Sequence, residues 1–340
     1  MNKSNIITSK KFVDIADIIF SQVITVKDFS KFKNKNQITV FDRNEEFIIY
    51  QTKNLGIEDN SIIFSTSFMI KDLFKLLNKE KRLKRLILVT HQGDDLIDKK
   101  LFSLKPKSIS KWYSTNVNYK NESLIPIPLG IANYNLRNLN ELQFIGKENF
   151  TFFERKQNLL YLNFQKNTNN KERDGIYENF EKKKWVEIDL PDKDLKDYHK
   201  KLENSSFVLC PWGNGVDTHR IWETLYSGSI PITKFHYSLS TLHNLPILFI
   251  NDYSEITPNL LESFLKNNYK TKFNYEKLNF NFWKTQILNI QNNVDRNIYY
   301  IVNNKSNKLF KTNKLLERYF KKLKFYFRKL KKLLNLFFLN

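Results

Sequence analysis

Two apolar runs, Ser206-Phe207-Val208-Leu209-Cys210 and Ile230-Pro231-Ile232, bracket the segment of this sequence best equipped to handle phosphate. It reads Pro211-Trp212-Gly213-Asn214-Gly215-Val216-Asp217-Thr218-His219-Arg220-Ile221-Trp222-Glu223 and closes at Gly228. Gly213 and Gly215 give a turn in which backbone can approach a ligand closely. Asp217 or Thr218 can cap the helix that follows, whose first N–H groups and positive dipole end suit an anion. Arg220 falls in the first helical turn, where its planar fork can clamp a diphosphate. Glu223 lies on the same face as His219 and Arg220, where a carboxylate can accept hydrogen bonds from a ribose diol. The glycine pair alone is weak, because it is not G-x-G-x-x-G. The bland alternative is a surface Arg220–Glu223 ion pair on an ordinary helix. The i,i+4 pair His219 and Glu223, with Asp217 near, could ligate a metal, but no third ligand or H-E-x-x-H completes it, and no metal is expected.

Such a segment needs a sheet to carry it. Short apolar runs at Phe47-Ile48-Ile49-Tyr50, Ser61-Ile62-Ile63-Phe64, Leu86-Ile87-Leu88-Val89, Ser108–Tyr113, Leu159–Phe164, Trp185–Ile188, Ser206–Cys210, Ile230–Ile232 and Ile247–Ile250 read as buried strands. Helical spacing separates them at 68–77, 172–182 and 193–201. Strands alternating with helices imply βαβ units and parallel sheets. The fold class is therefore α/β, with two Rossmann-like halves facing across a cleft. The polar stretch 133–158 marks the boundary, giving domains 1–150 and 151–310. The strand Leu86–Val89 ends at Thr90-His91-Gln92-Gly93-Asp94-Asp95, and a loop at the carboxyl end of such a strand is a candidate site wall.

Composition narrows the function classes. The chain has 340 residues, 41% of them apolar, with 8 Gly and 8 Pro, which suits a packed core rather than a low-complexity chain. The single cysteine, Cys210, rules out an intrachain disulfide framework and a Cys-based zinc site, and it reads as a buried, inert thiol. No run of about 18 apolar residues offers a spanning helix, and Asp14 and Asp17 interrupt what a signal peptide would keep apolar. A cytoplasmic protein, at most peripheral on the inner face of a membrane, is expected. The net charge of +21 favours polyanions without choosing among them.

Ser206 to Pro211, the glycine turn, Asp217-Thr218-His219-Arg220-Ile221-Trp222-Glu223 and Gly228-Ser229-Ile230-Pro231-Ile232 together resemble the exostosin-like glycosyltransferases. The likeness spans about residues 159–250. It is looser upstream, at His91-Gln92-Gly93-Asp94, Trp112 with Asn116, and Ile127-Pro128-Leu129-Gly130. It implies a two-domain GT-B enzyme using a nucleotide-sugar co-substrate. Arg220 would bind the donor diphosphate and Glu223 the ribose. Gly213, Gly215, Asp217, Thr218, His219, Asn163 and Arg173 would complete the donor side, and Asn116 and Trp112 would lie on the acceptor side. No lumenal anchor and stem of the long-exostosin kind is expected here, which argues against a heparan-type substrate. Such an enzyme must stabilise a departing diphosphate and deprotonate an acceptor hydroxyl. Asp94 is the candidate base, with Asp95 and His91 as rivals, and a single base fits an inverting outcome. No D-x-D-type motif lies near the site, so metal-independence is expected.

The tail is the second signal. In 311–340, apolar residues from Leu315 to Phe338 recur at three-and-four spacing, with ten basic residues against one acid. An aromatic-rich basic helix of this kind lies in an anionic membrane interface. Packing back on the body, or calmodulin-type capture, are the alternatives. The expected partners are a nucleotide sugar, a glycan or lipid-linked acceptor and a membrane, with no nucleic acid. The rival readings are a basic nucleic-acid-binding protein and an inactive membrane-tethered scaffold.

Overall fold

A computed structural model describes residues 5–33, 35–132, 152–191, 194–289 and 298–302. The tail 311–340 and most of the expected boundary segment lie outside these residues. In chain order the strands are β1 (Ile18–Ile19), β2 (Ser21–Thr25), β3 (Ile38–Arg43), β4 (Phe47–Thr52), β5 (Asn54–Glu58), β6 (Ile62–Thr66), β7 (Leu86–His91), β8 (Ile109–Ser114), β9 (Leu124–Pro126), β10 (Asn158–Leu162), β11 (Val186–Ile188), β12 (Ser205–Leu209), β13 (Ile230–Lys234), β14 (Leu248–Ile250) and β15 (Ile298–Val302). The chain folds as two compact units. One takes in Ile57–Tyr299 with the residues up to Ile19, and the other takes in Phe20–Gly56 with the residues from Tyr300.

The larger unit holds two five-stranded sheets, β1-β6-β7-β8-β9 and β11-β10-β12-β13-β14. Every pairing in both is parallel. The apolar runs explain this: β6, β7 and β12 are buried along their whole length, as strands covered on both faces must be. Helices Ile70–Leu77 and Leu195–Glu203 form where helical spacing was read, and His219–Tyr226 forms where a helix was expected after the glycine turn. The expected helix over 172–182 is broken in two, Asn170–Arg173 and Ile176–Phe180, because Gly175 turns left-handed at φ 75°.

The other unit departs from expectation. Phe47-Ile48-Ile49-Tyr50 belongs to β4, the centre of an antiparallel sheet β2-β4-β3, and not to a parallel sheet. Its half-buried apolar alternation matches that setting. Among the described residues no helix is long and apolar enough to cross a membrane.

Candidate active site

In the second sheet the chain runs from β10 outward to β11, then crosses back to β12 and continues to β13 and β14. The strand order therefore reverses between β10 and β12, and ligands of open α/β sheets bind outside the carboxyl ends of the strands at such a switch. Here that edge carries Asn163 and Phe164 after β10, the glycine turn after β12, and the start of helix His219–Tyr226.

The turn is built by distant polar groups. Arg173, only 4% exposed, donates from Nε to the Trp212 carbonyl (2.9 Å), from Nη1 to Gln165 (2.7 Å) and from Nη2 to Pro211 (3.1 Å). Asn169 Nδ2 donates to the Gly213 carbonyl at 2.8 Å. Asn116, left-handed at φ 53°, accepts from the Val216 N–H at 2.9 Å through Oδ1 and donates to the Gly93 carbonyl at 3.4 Å. It thereby ties the loop after β7 to the glycine turn. A Cβ on Gly215 would lie 2.7 Å from Asn116 Nδ2, so Gly215→Ala should cost about 1–3 kcal/mol by overpacking. Asn116→Ala in the same chain should recover part of that loss in urea unfolding; strict additivity would show that the two do not meet.

The helix start differs from its expected form. Thr218 is the N-cap residue, but its side chain makes no capping bond and its Oγ1 is buried without a partner. Asp217 does not cap either. Its carboxylate is buried and accepts from Leu129 N–H (2.8 Å) and from Trp222 Nε1 (2.9 and 3.1 Å), joining the loop after β9 to the helix. Burial pushes it up to about 7 against the pull of those hydrogen bonds. His219 meets the Gly130 carbonyl through Nδ1 at 2.6 Å.

Arg220 and Glu223 stand on this helix as expected, and the structure adds Tyr198. The Tyr198 hydroxyl, buried, donates to Glu223 Oε2 at 2.9 Å, and the Arg220 guanidinium lies 6.0 Å from its ring centroid. Arg220 Nε is buried without a hydrogen-bond partner. Burial alone would lower Arg220, but Tyr198, Cys210 and Glu223 outweigh it and hold the guanidinium above the usual arginine range. Burial, and then the charge of Arg220, push Arg173 down to about 10. Asn163 Nδ2 donates to the Tyr161 hydroxyl and to the Leu190 carbonyl, both at 3.1 Å, and Tyr161 donates to Asp189 at 3.1 Å. Sequence reasoning missed Tyr198, Tyr161 and Asp189. It also missed Glu172, which accepts from the Tyr253 hydroxyl at 2.6 Å and lies 3.5 Å from Lys234 Nζ.

Several expected site residues prove structural. Trp112 is wholly buried: its Nε1 donates to Thr90 Oγ1 (2.8 Å) and its ring packs on Phe74 and Phe102, so it faces the interior of the first sheet's layer and not an acceptor. Strand alternation sends it there. His91 is buried with both nitrogens engaged. Nδ1 accepts from Gln92 N–H at 2.8 Å, Nε2 meets the Pro128 carbonyl at 3.3 Å, and burial, then His219, push the ring down to about 3. It is a packed neutral imidazole rather than an open base. Asp95 accepts from Ser67 Oγ at 2.7 Å, and Asp94 is exposed on the same loop. Cys210 is buried, and burial pushes its thiol up to about 12, as an inert residue requires. Trp222 is core, while Trp212 donates to the Lys234 carbonyl at 3.2 Å. Among the described residues no group of three His, Cys, Asp or Glu could hold a metal ion.

Residues 154–293 match the family described as the RXYLT1 C-terminal domain, and that match supports a glycosyltransferase family. It spans the second sheet and the helices that follow it. No curated protein matches the chain. Among solved structures, one titled as the crystal structure of an alpha1,3-fucosyltransferase with GDP-fucose is 12% identical, covering 74% of this chain and 88% of that one, with a TM-score of 0.31.

Proposed function

We propose that the protein transfers a sugar from a nucleotide-sugar donor to a glycan or lipid-linked glycan acceptor at a membrane surface, in the manner of an exostosin-like, inverting GT-B enzyme. The observation that carries this reading is a pair of neighbouring guanidiniums at the switch point. Arg220 has its Nε buried and unpartnered, and burial, then the charge of Arg220, lowers Arg173. The helix start they share has no acid in its first turn and an unsatisfied Thr218 hydroxyl. An anion seated there relieves the repulsion and supplies the missing acceptors. Glu223, held by Tyr198 three residues on, is placed for a ribose diol.

Nucleotide sugars carry their own leaving group, so the work of the site is to hold the diphosphate and to take a proton from the acceptor. Arg220 and the helix N-terminus perform the first task without a metal, and Arg173 fixes the turn that shapes the pocket. The first sheet serves the acceptor side and the second the donor side, corresponding to domains 1–150 and 151–310. The basic amphipathic segment 311–340 lays the enzyme on the cytoplasmic face of an anionic membrane, each basic residue near the surface adding about 1 kcal/mol.

Thermal unfolding against a panel of nucleoside diphosphates and nucleotide sugars tests the reading. A donor at about 100 times its dissociation constant should stabilise the wild-type fold by about 2.7 kcal/mol. Arg220→Ala should lose that shift. A wild-type protein that responds to no nucleotide while binding nucleic acid or anionic vesicles would overturn the proposal in favour of a binding protein or scaffold.

A further inference from the structure

His219 has a more specific role open to it than a donor contact. Its Nδ1 lies 2.6 Å from the Gly130 carbonyl, and a carbonyl only accepts, so Nδ1 carries a proton. In the neutral ring the lone pair is therefore on Nε2. The residue is half-buried, and Nε2 makes no hydrogen bond to any described residue and is not sealed from solvent. The orienting carbonyl is itself fixed. Gly130 is left-handed at φ 70°, and a Cβ there would fall 2.3 Å from the Ile7 carbonyl oxygen, so only glycine fits. Gly130 follows β9 at the carboxyl edge of the first sheet, and His219 opens the helix at the carboxyl edge of the second. The imidazole thus stands where the two edges meet, one residue before Arg220, whose Nε is buried without a partner. At the end of β7 His91 is sealed, and in the loop that follows Asp95 is engaged by Ser67.

We propose that His219 is the general base of the transfer, its Nε2 accepting the proton of the acceptor hydroxyl. This rests on the glycosyltransferase reading above. As that proton moves to Nε2, the hydroxyl oxygen's electron pair forms the bond to the sugar's anomeric carbon. The bond from that carbon to the diphosphate oxygen breaks, its electron pair leaving with the nucleoside diphosphate. The Gly130 carbonyl keeps the ring oriented and stabilises the imidazolium through Nδ1–H, the base-and-orienter arrangement of general-base sites. The titratable or charged groups around the ring are His91 from the end of β7 and Asp217, Arg220 and Glu223 on its own segment. Asp217 is held by Leu129 and Trp222, and Glu223 by Tyr198.

His219→Asn separates this from a purely structural link, because an asparagine amide can still donate to the Gly130 carbonyl but offers no base. With the nucleotide sugar that most stabilises the wild type, the variant should bind within about twofold of wild type. Its release of nucleoside diphosphate, with water as acceptor, should fall about 100-fold or more. The rise of the wild-type rate with pH that a general base imposes should be absent from His219→Asn. An unchanged rate and pH profile in His219→Asn would overturn the proposal, and loss of the rise in Asp94→Asn instead would move the base to Asp94. Independently of turnover, diethyl pyrocarbonate should acylate His219 in the free protein, and an unreactive His219 would also overturn it. Failure of every nucleotide sugar to bind the wild type sinks the glycosyltransferase reading itself and is distinguishable from both results.

Discussion

Arg173→Ala should destabilise the protein by about 3–4 kcal/mol and should do so before it does anything specific to a ligand. The side chain is buried, and its three hydrogen bonds reach the carbonyls of Gln165, Pro211 and Trp212, 8 to 39 residues away in sequence. Bonds from a charged donor contribute about 1.5 kcal/mol or more each, and their loss leaves buried carbonyls without a donor. The guanidinium also lies 5.5 Å from the Phe164 ring centroid, so truncation opens space beside a core aromatic. Against this, the charge of Arg173 is disfavoured by burial and by Arg220, so its removal relieves some repulsion and holds the net loss below the sum of the bonds. Arg173→Lys should recover little, since an ammonium cannot span three carbonyls that a planar fork reaches at once. Urea midpoints decide the matter: an alanine variant within about 1 kcal/mol of wild type would show that the carbonyls find other donors. Arg220→Ala should also cost stability, since Tyr198 and the buried Glu223 favour its charge, but it should remove the response to nucleotide as well. The structure shows Arg173 building the turn, while the proposed contact with an anion falls to Arg220.

That division marks how far the sequence could be read. The parallel strands were legible because runs such as Leu86–Val89 and Phe207–Cys210 are apolar on every residue, a pattern that two-faced burial demands. The places of Arg220 and Glu223 on the helix were legible because helix position and glycine turn are local properties. What failed to show depends on partners far along the chain. Asp217 looked like a cap, since capping needs only the next few residues, yet its partner Leu129 is 88 residues distant. Arg173 looked like a phosphate ligand, and only the fold reveals that backbone carbonyls occupy its fork. Tyr198 gave no signal, because its meaning lies in a hydroxyl that reaches Glu223 from another helix. Trp112 was misplaced for a related reason: alternation along a strand says that faces differ, but not which of them meets the helices. Phe47–Tyr50 was apolar enough to pass for a buried parallel strand, and its antiparallel setting came from neighbours that local pattern did not specify.

Asp217→Asn should flatten the pH dependence of stability between about pH 4 and pH 7. The Asp217 carboxyl is raised by burial to about 7 in the folded chain, above its ordinary value of 3.8. Between those values the folded state holds a proton that the unfolded chain has released. The group's contribution is therefore fully present below about pH 4, declines as pH rises through this window, and is spent above about 7. Asparagine carries no such proton. It also offers one acceptor oxygen where Leu129 N–H and Trp222 Nε1 both need one, so a buried donor is left unsatisfied at about 1–3 kcal/mol. The variant should thus be clearly less stable than wild type at pH 5, with the gap narrowing at pH 8. His91, buried neutral and lowered to about 3, adds an opposite slope as pH falls, but it does so equally in both proteins and cancels in the comparison. Parallel stability curves from urea unfolding at several pH values would show that Asp217 does not titrate in this window. If they diverge as expected, the consequence reaches the site, because the bond to Leu129 sets the backbone beside Gly130, whose carbonyl orients His219. Loosening that bond should then weaken any chemistry that depends on His219 without touching the imidazole itself.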